Sequence, residues 1–366
     1  MDSSTIIEED LLYSFSKLTK YEIEKLSGSK ILITGFAGFL GQYHLRFFRR
    51  FYEALNIKGI VGLDNYLLGK SKLISRMEKE AGFSLYQFDV AKDDLNSIAS
   101  DLLDVDYVLH LASIASPIHY RKYPLETMDS NIDGLRRILD FYRDKHIKGF
   151  LCYSSSEIYG DPPDEAIPLQ EEYRGNVSVV GPRACYDEAK RSCETLAYIY
   201  NTYYNVPTRI IRLFNVFGPG MNFKDYRVTS DFGRMIRNGE DITILSDGKP
   251  TRSFCYVADS FVGELKILLH DNFDYFNMGA DAEEITMTEL AERFIIIAQK
   301  EFGYKGKIKY GVSTDKHYLT HNPKRRFPSL TKARSILNYN PTIDLNEGIR
   351  RYLCYIFNTD RSELSW

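Results

Sequence analysis

Three glycines at fixed spacing are the first residues of this chain with an evident chemical use: Gly35-Phe36-Ala37-Gly38-Phe39-Leu40-Gly41. They follow Ile31-Leu32-Ile33-Thr34, a short apolar run of strand type. They precede a stretch with Leu40, Phe47, Phe48 and Phe51 on one helical face. In a strand–turn–helix of this kind the first glycine permits the tight turn. The second lets backbone approach a pyrophosphate, and the third lets helix pack on strand. The helix N-terminus offers free N–H groups and a positive dipole to that pyrophosphate. Asp64 ends the next apolar run, 23 residues past Gly41. A carboxylate there accepts from both ribose hydroxyls and repels a 2′-phosphate, so NAD is expected over NADP. Asp89, closing the third run, is placed to reach the adenine amine. Tyr186 and Lys190 form a second pair. Positions i and i+4 of a helix share a face, and an ammonium beside a phenol lowers a pKa normally near 10, which makes the phenol a usable base.

The elements that must hold these groups follow a regular pattern. After the glycine turn come Ile60–Asp64, Leu85–Asp89, Tyr107–Leu111, Phe150–Ser154 and Thr208–Leu213, each strand-like and separated by helical stretches. Runs this apolar indicate parallel strands covered on both faces. The expected class is therefore α/β, a Rossmann-type doubly wound parallel sheet with a smaller C-terminal substrate-binding lobe. From about residue 216 the pattern turns irregular, with loops at Gly218-Pro219-Gly220 and Asp247–Pro250 and helices again near 287–300 and 346–357. The expected division is a helical extension over 1–29, an NAD-binding domain over 30–215 and a substrate-binding lobe over most of 216–366. In the extension, Leu11, Leu12, Phe15, Leu18, Ile23 and Leu26 fall near helical spacing. That predicts one or two amphipathic helices packed on the body, with a partner-binding arm as the alternative.

Composition bounds the function. The chain has 366 residues, 44% hydrophobic and 27% charged, with a net charge of −3, which is globular and argues against nucleic acid as a partner. The cysteines, Cys152, Cys185, Cys193, Cys255 and Cys354, are scattered and never spaced as CxxC. They predict a reduced, cytoplasmic setting with no disulfide framework and no metal site. No apolar run reaches membrane-spanning length, and Met1-Asp2-Ser3-Ser4 does not begin a secretory signal.

The glycine spacing is GxxGxxG, and with Tyr186-Asp187-Glu188-Ala189-Lys190 it resembles the short-chain dehydrogenase/reductases. Over roughly residues 30–355 the chain resembles the extended branch of that family, the nucleotide-sugar epimerases and dehydratases. Within that branch it is most similar to the UDP-glucuronate decarboxylases. Four stretches carry the resemblance: Leu111–Tyr120, with Pro124 and Asn131 beyond it; Ser154–Pro162; Gly175-Asn176-Val177 followed by Gly181–Arg191; and Asp247–Asp259. The resemblance implies a homodimer that binds NAD and a UDP-sugar. Tyr186, Lys190, Ser155, Ser156 and Glu157 would be catalytic. Phe36, Ala37, Phe39, Leu40, Asn65, Val90, Leu111, Ala112 and Ser113 would join the glycines, Asp64, Asp89, Tyr186 and Lys190 around NAD. His119, Glu157, Arg183, Asn215, Arg252 and Arg326 would bind substrate. Tyr186 would take the C4 hydroxyl proton, the 4-keto acid would lose carbon dioxide, and the ketone would be reduced again.

Some positions depart from the decarboxylase pattern. Gly220 stands where an arginine is usual, Ser155 where threonine is usual, and Ile244-Leu245-Ser246 where an aromatic is usual. Ser156 also replaces the Asp of dTDP-glucose-type dehydratases. Arg325 is an alternative to Arg326 as the carboxylate-holding fork. A 4,6-dehydratase or 4-epimerase of another nucleotide sugar is the alternative activity. An NAD-binding protein without turnover is disfavoured because Ser155, Glu157, Tyr186 and Lys190 are all present. His110 is expected to pack or to position backbone.

Overall fold

The computed structural model describes residues 3–366; Met1 and Asp2, where the expectation of no secretory signal begins, lie outside the described residues. Six parallel strands form in the expected places: β1 (Lys30–Thr34), β2 (Gly59–Asp64), β3 (Phe83–Gln87), β4 (Tyr107–His110), β5 (Gly149–Ser155) and β6 (Thr208–Leu213). A seventh strand, Tyr275–Met278, pairs parallel with β6. The sheet order is Tyr275–Met278, β6, β5, β4, β1, β2, β3. The series expected to close at Leu213 therefore gains one more strand. After about forty residues of loop and lobe, the chain returns to the sheet through the Val257–Leu268 helix, every residue of which is buried. β3 also ends at Gln87, which leaves Asp89 in the loop beyond it.

Alternation along β1 shows why the sheet needs cover on both faces. Ile31 and Ile33 join one core with Phe47, Phe48 and Phe261. Leu32 joins the other with Val61, Val108, Leu139 and Ala197. The order reverses between β1 and its neighbours β2 and β4, so the carboxyl ends of these strands flank a crevice.

The N-terminal extension lies on the body as two helices, α1 (Ser3–Ser16) and α2 (Lys20–Leu26). Thr19 and Glu22 form a capping box at the start of α2. In α1, Ile6, Ile7 and Leu11 are buried, while Leu12, expected on the packed face, is largely exposed. Asp10 is fully buried and bonded by Tyr256 at 2.6 Å and Arg351 at 2.7 Å. Among the described residues no helix is long and apolar enough to cross a membrane, and none of the His, Cys, Asp and Glu side chains group as a metal site.

Candidate active site

The cleft has a volume of about 940 Å³ and runs from the glycine turn, past the ends of β4 and β5, into the C-terminal lobe. Every residue expected to bind cofactor or substrate lines it except Phe36. The Phe36 side chain instead turns down into the core, edge-on to Tyr66 at 5.9 Å, and supports the turn from below.

The glycine turn is built for close approach. Gly35 has φ +72°, and a Cβ on it would lie 2.7 Å from the Ala112 nitrogen. On Gly41 a Cβ would lie 2.5 Å from the Gly35 carbonyl oxygen, so helix α3 (Phe39–Arg50) meets the turn with no side chain between them. Gly38 caps α3 without a side-chain hydrogen bond, so the first-turn N–H groups stay available to an anion. Asp64 accepts from the backbone N–H groups of Ala37, at 3.0 Å, and Tyr66, at 2.8 Å. Burial raises its carboxyl to about 6 against the pull of those two donors. Asn65 donates to Asp89 at 3.2 Å, which ties together the two groups expected at the adenosine end. This bare helix end and buried carboxylate fit a dinucleotide with free ribose hydroxyls.

Tyr186 and Lys190 lie on the Ala184–Tyr204 helix, one turn apart and buried. The Lys190 ammonium sits 5.7 Å from the Tyr186 ring centre and donates to the Tyr153 carbonyl at 2.6 Å. Burial pushes the Tyr186 phenol up, and the charges of Glu157 and Asp187 add to that. A hydrogen bond with Ser155 and the charge of Arg227 pull it back. Lys190 is expected to lower this phenol, and the charge of Arg227 acts on it in the same direction. Arg227 is itself held by both Asp225 oxygens, at 2.6 and 2.5 Å. Tyr120 stacks on Tyr186 at 5.2 Å. Arg227 lies in no motif, and Tyr120, the last residue of the Leu111–Tyr120 stretch, has no role expected from sequence. His110 behaves as expected: its Nδ1 pairs with Thr34 Oγ1 at 3.0 Å, and burial, aided by Lys190, lowers it to about 3.

The substrate end is strongly cationic. A small sheet pairs Thr251–Arg252 with Arg325–Arg326 in parallel register, Arg325 opposite Thr251 and Arg326 opposite Arg252. Alternation along a strand then sends neighbouring arginines to opposite faces. Arg326 turns inward, almost fully buried, and pairs with Glu157. Arg325 turns outward to Glu284 at 2.6 Å and Asp164 at 3.0 Å. That separates the two candidates for the fork. Arg183 binds the other oxygen of Glu157, and its guanidinium lies 5.8 Å from the Tyr120 ring centre. Burial would raise the Glu157 carboxyl, but Arg183 and Arg326 outweigh it and hold the group below the usual carboxylate range. Burial and the neighbouring arginines lower Arg252 to about 9. The Nε–H of Arg326 and one oxygen of Asp187 are buried without a partner, while the Arg183 Nε lies 3.6 Å from the other Asp187 oxygen. Asn215, at φ +39°, donates to the Ser253 carbonyl at 2.9 Å, and His119 is within 2.8 Å of the Lys224 carbonyl.

Comparison with known proteins agrees with this architecture. The UDP-glucuronic acid decarboxylase 1 of Arabidopsis thaliana is 35% identical over 324 residues, covering 88% of this chain and 68% of that one. Decarboxylase 5 of the same plant is 35% identical over 323 residues, covering 88% of each. The solved UDP-glucuronic acid 4-epimerase of Bacillus cereus, in complex with UDP-glucuronic acid and NAD, superposes with a TM-score of 0.75. It is 24% identical, with 89% of this chain and 98% of that one covered. The model of the NAD dependent epimerase/dehydratase family matches residues 31–279, and with a glycine turn, a buried carboxylate and a Tyr–Lys pair in one cleft, the chain belongs to that family.

Proposed function

We propose that this protein decarboxylates UDP-glucuronate, or a nucleotide sugar acid very like it, using NAD that it regenerates in each cycle. The observation that carries this is the buried Nε–H of Arg326, which has no partner, in the cleft that also holds Arg183 and Tyr186. A buried donor left unpaired costs about 1–3 kcal/mol, so the site favours a ligand with an anionic acceptor. A sugar carboxylate supplies one, and guanidinium forks suit it. The similarity to plant decarboxylases along most of the chain supports the same reading.

In this mechanism the Gly35–Gly41 turn would hold the pyrophosphate of NAD, Asp64 the ribose and Lys190 the nicotinamide ribose. When bound there, NAD would supply the hydride acceptor for C4 and the hydride donor for the final reduction. Tyr186 takes the C4 hydroxyl proton and later gives it back, with Ser155 bonded to the phenol to orient it. Arg326 and Arg183 hold the carboxylate. Once C4 is a ketone, the acid is a β-keto carboxylate, and the electrons freed by loss of carbon dioxide delocalise into the carbonyl. Glu157 stays ionised between its arginines and serves as a counter-charge rather than a proton donor. The proton returned at C5 then comes from the side of Ser155 and Ser156. Arg252 and Asn215 bind the diphosphate, and His119 lines the sugar end. Of the substrate-binding groups, Arg252 and Arg326 come from the lobe, which corresponds to most of 216–366.

On the same reading the protein works in the cytoplasm, consistent with its five free cysteines, and as a homodimer. The Ala184–Tyr204 helix exposes Tyr198 and Tyr203, and Val179 and Val180 are exposed just before it, an apolar set for a partner helix. The test is incubation with NAD and UDP-glucuronate, followed by mass spectrometry. Loss of the mass of carbon dioxide with no net NADH is expected. An unchanged sugar would overturn the reading for that substrate, and loss of the mass of water from another nucleotide sugar would mark a dehydratase.

A further inference from the structure

We propose that residues Asp360–Trp366 form a strap along the outer wall of the cofactor groove and slow the release of NAD. Two banks flank the mouth of that groove. One is the loop after Asp64, with Asn65, Leu67, Leu68 and Gly69; the other is the turn Asn222–Asp225. The second bank follows Gly220, which faces the Phe39 ring at the start of α3, where a pyrophosphate would lie.

The strap joins the two banks. Its short turn, Arg361–Glu363, is capped by Asp360, which accepts from the Ser362 N–H at 2.8 Å. Leu364 is fully buried, and its carbonyl accepts from the Phe223 N–H at 2.8 Å. The Trp366 carbonyl accepts from the Asn222 side chain at 2.9 Å. On the opposite bank Gly69, at φ +106°, backs directly onto Trp366. A Cβ there would lie 2.6 Å from the Trp366 carbonyl carbon and 3.2 Å from the indole ring. Lys72 donates to Ser362 at 2.7 Å, and Arg76 pairs with Glu363 at 3.1 Å. Trp366 itself lines the cleft.

The two anchors differ in strength. The turn holds the strap through one backbone bond, the Asn222 side chain and a buried leucine, whereas the other bank holds it partly through exposed polar pairs, which contribute little each. The strap can therefore swing away from the ribose loop without unfolding. The purpose of slow release rests on the redox-neutral cycle proposed above: a cofactor restored at every turnover has no need to leave. The geometry does not depend on that reading.

The test follows release of labelled NAD from the full chain, without any sugar, after a chase with excess unlabelled NAD. Trp366→Ala and Asn222→Ala are expected to release NAD about tenfold faster, since such changes act mainly on dissociation rates. Trp366→Phe should restore slow release. The emission of Trp366, the one tryptophan of the chain, should change on saturation with NAD. Release within about twofold of the parent rate in the Trp366→Ala protein would overturn the proposal. If Asn222→Ala does not fold, the half-buried Trp366 decides alone. Slow NAD release together with unchanged UDP-glucuronate would overturn the decarboxylation and leave the strap standing.

Discussion

At the scale of single residues, the site separates groups that share a charge but not a role. In the proposed mechanism Tyr186 is the reacting base, so Tyr186→Phe should lower turnover by about 10³-fold while NAD binding stays near the parent value. Product mass spectrometry and a binding titration measure the two. Arg326 and Arg325 are neighbours in sequence, but one faces Glu157 and the other Glu284. Arg326→Ala should abolish decarboxylation and destabilise the fold by about 3 kcal/mol, because Glu157 loses one of its two buried partners. Arg325→Ala removes a surface pair and should change thermal stability by under about 1 kcal/mol, with activity kept. Asp64 links binding to pH. The ribose hydroxyls need an ionised acceptor, and burial puts this carboxyl at about 6. NAD affinity should be full above that pH and fall by about tenfold per unit below it, as titrations across pH 4.5–8 (about two units on the upper side) would measure. The same raised value has the opposite effect on the cofactor-free fold. The contribution of Asp64 is full below its ordinary 3.8 and declines as pH rises through about 6.

At the scale of elements, the glycine turn and the N-terminal helices do different work. A methyl group on Gly41 would meet backbone atoms of both Gly35 and Phe36 at 2.5 Å, so α3 would have to shift off β1. Gly41→Ala should abolish saturable NAD binding and cost about 2 kcal/mol or more in denaturant unfolding. The α1 helix is a structural clamp. Its Asp10 is buried between Tyr256 and Arg351, and burial raises it to about 6 against their pull. Asp10→Ala should lower unfolding free energy by about 3 kcal/mol and leave the NAD dissociation constant unchanged. An α1 that served as a free arm would show no such loss.

At the scale of the whole molecule, a sheet that supplies the cofactor site and a lobe that supplies arginines close on one cleft. Thr251–Arg252 and Arg325–Arg326 are separated by more than seventy residues of chain, and the small sheet sets both in register beside Glu157, which comes from the end of β5. The cationic end is therefore a property of the assembled chain. Three guanidiniums face Glu157 and Asp187, and that excess suits an anionic substrate.

What was legible in the sequence is what depends on short-range pattern. Gly35, Gly38 and Gly41, the apolar runs ending at Thr34 and Asp64, and the four-residue step from Tyr186 to Lys190 each follow from local geometry, and the glycines, Asp64, Tyr186 and Lys190 line the cleft. The tertiary structure alone decided the rest, because burial and long-range contact have no local signature. That Arg326 faces Glu157 while Arg325 faces Glu284 depended on strand register. The seventh strand depended on the chain returning across the sheet after an irregular stretch. The ionised state of Glu157 and the raised phenol of Tyr186 depended on which charges surround them and how little water reaches them. Trp366, far from every motif in sequence, came to the cofactor groove only because the last turn of chain packs against Asn222 and Gly69.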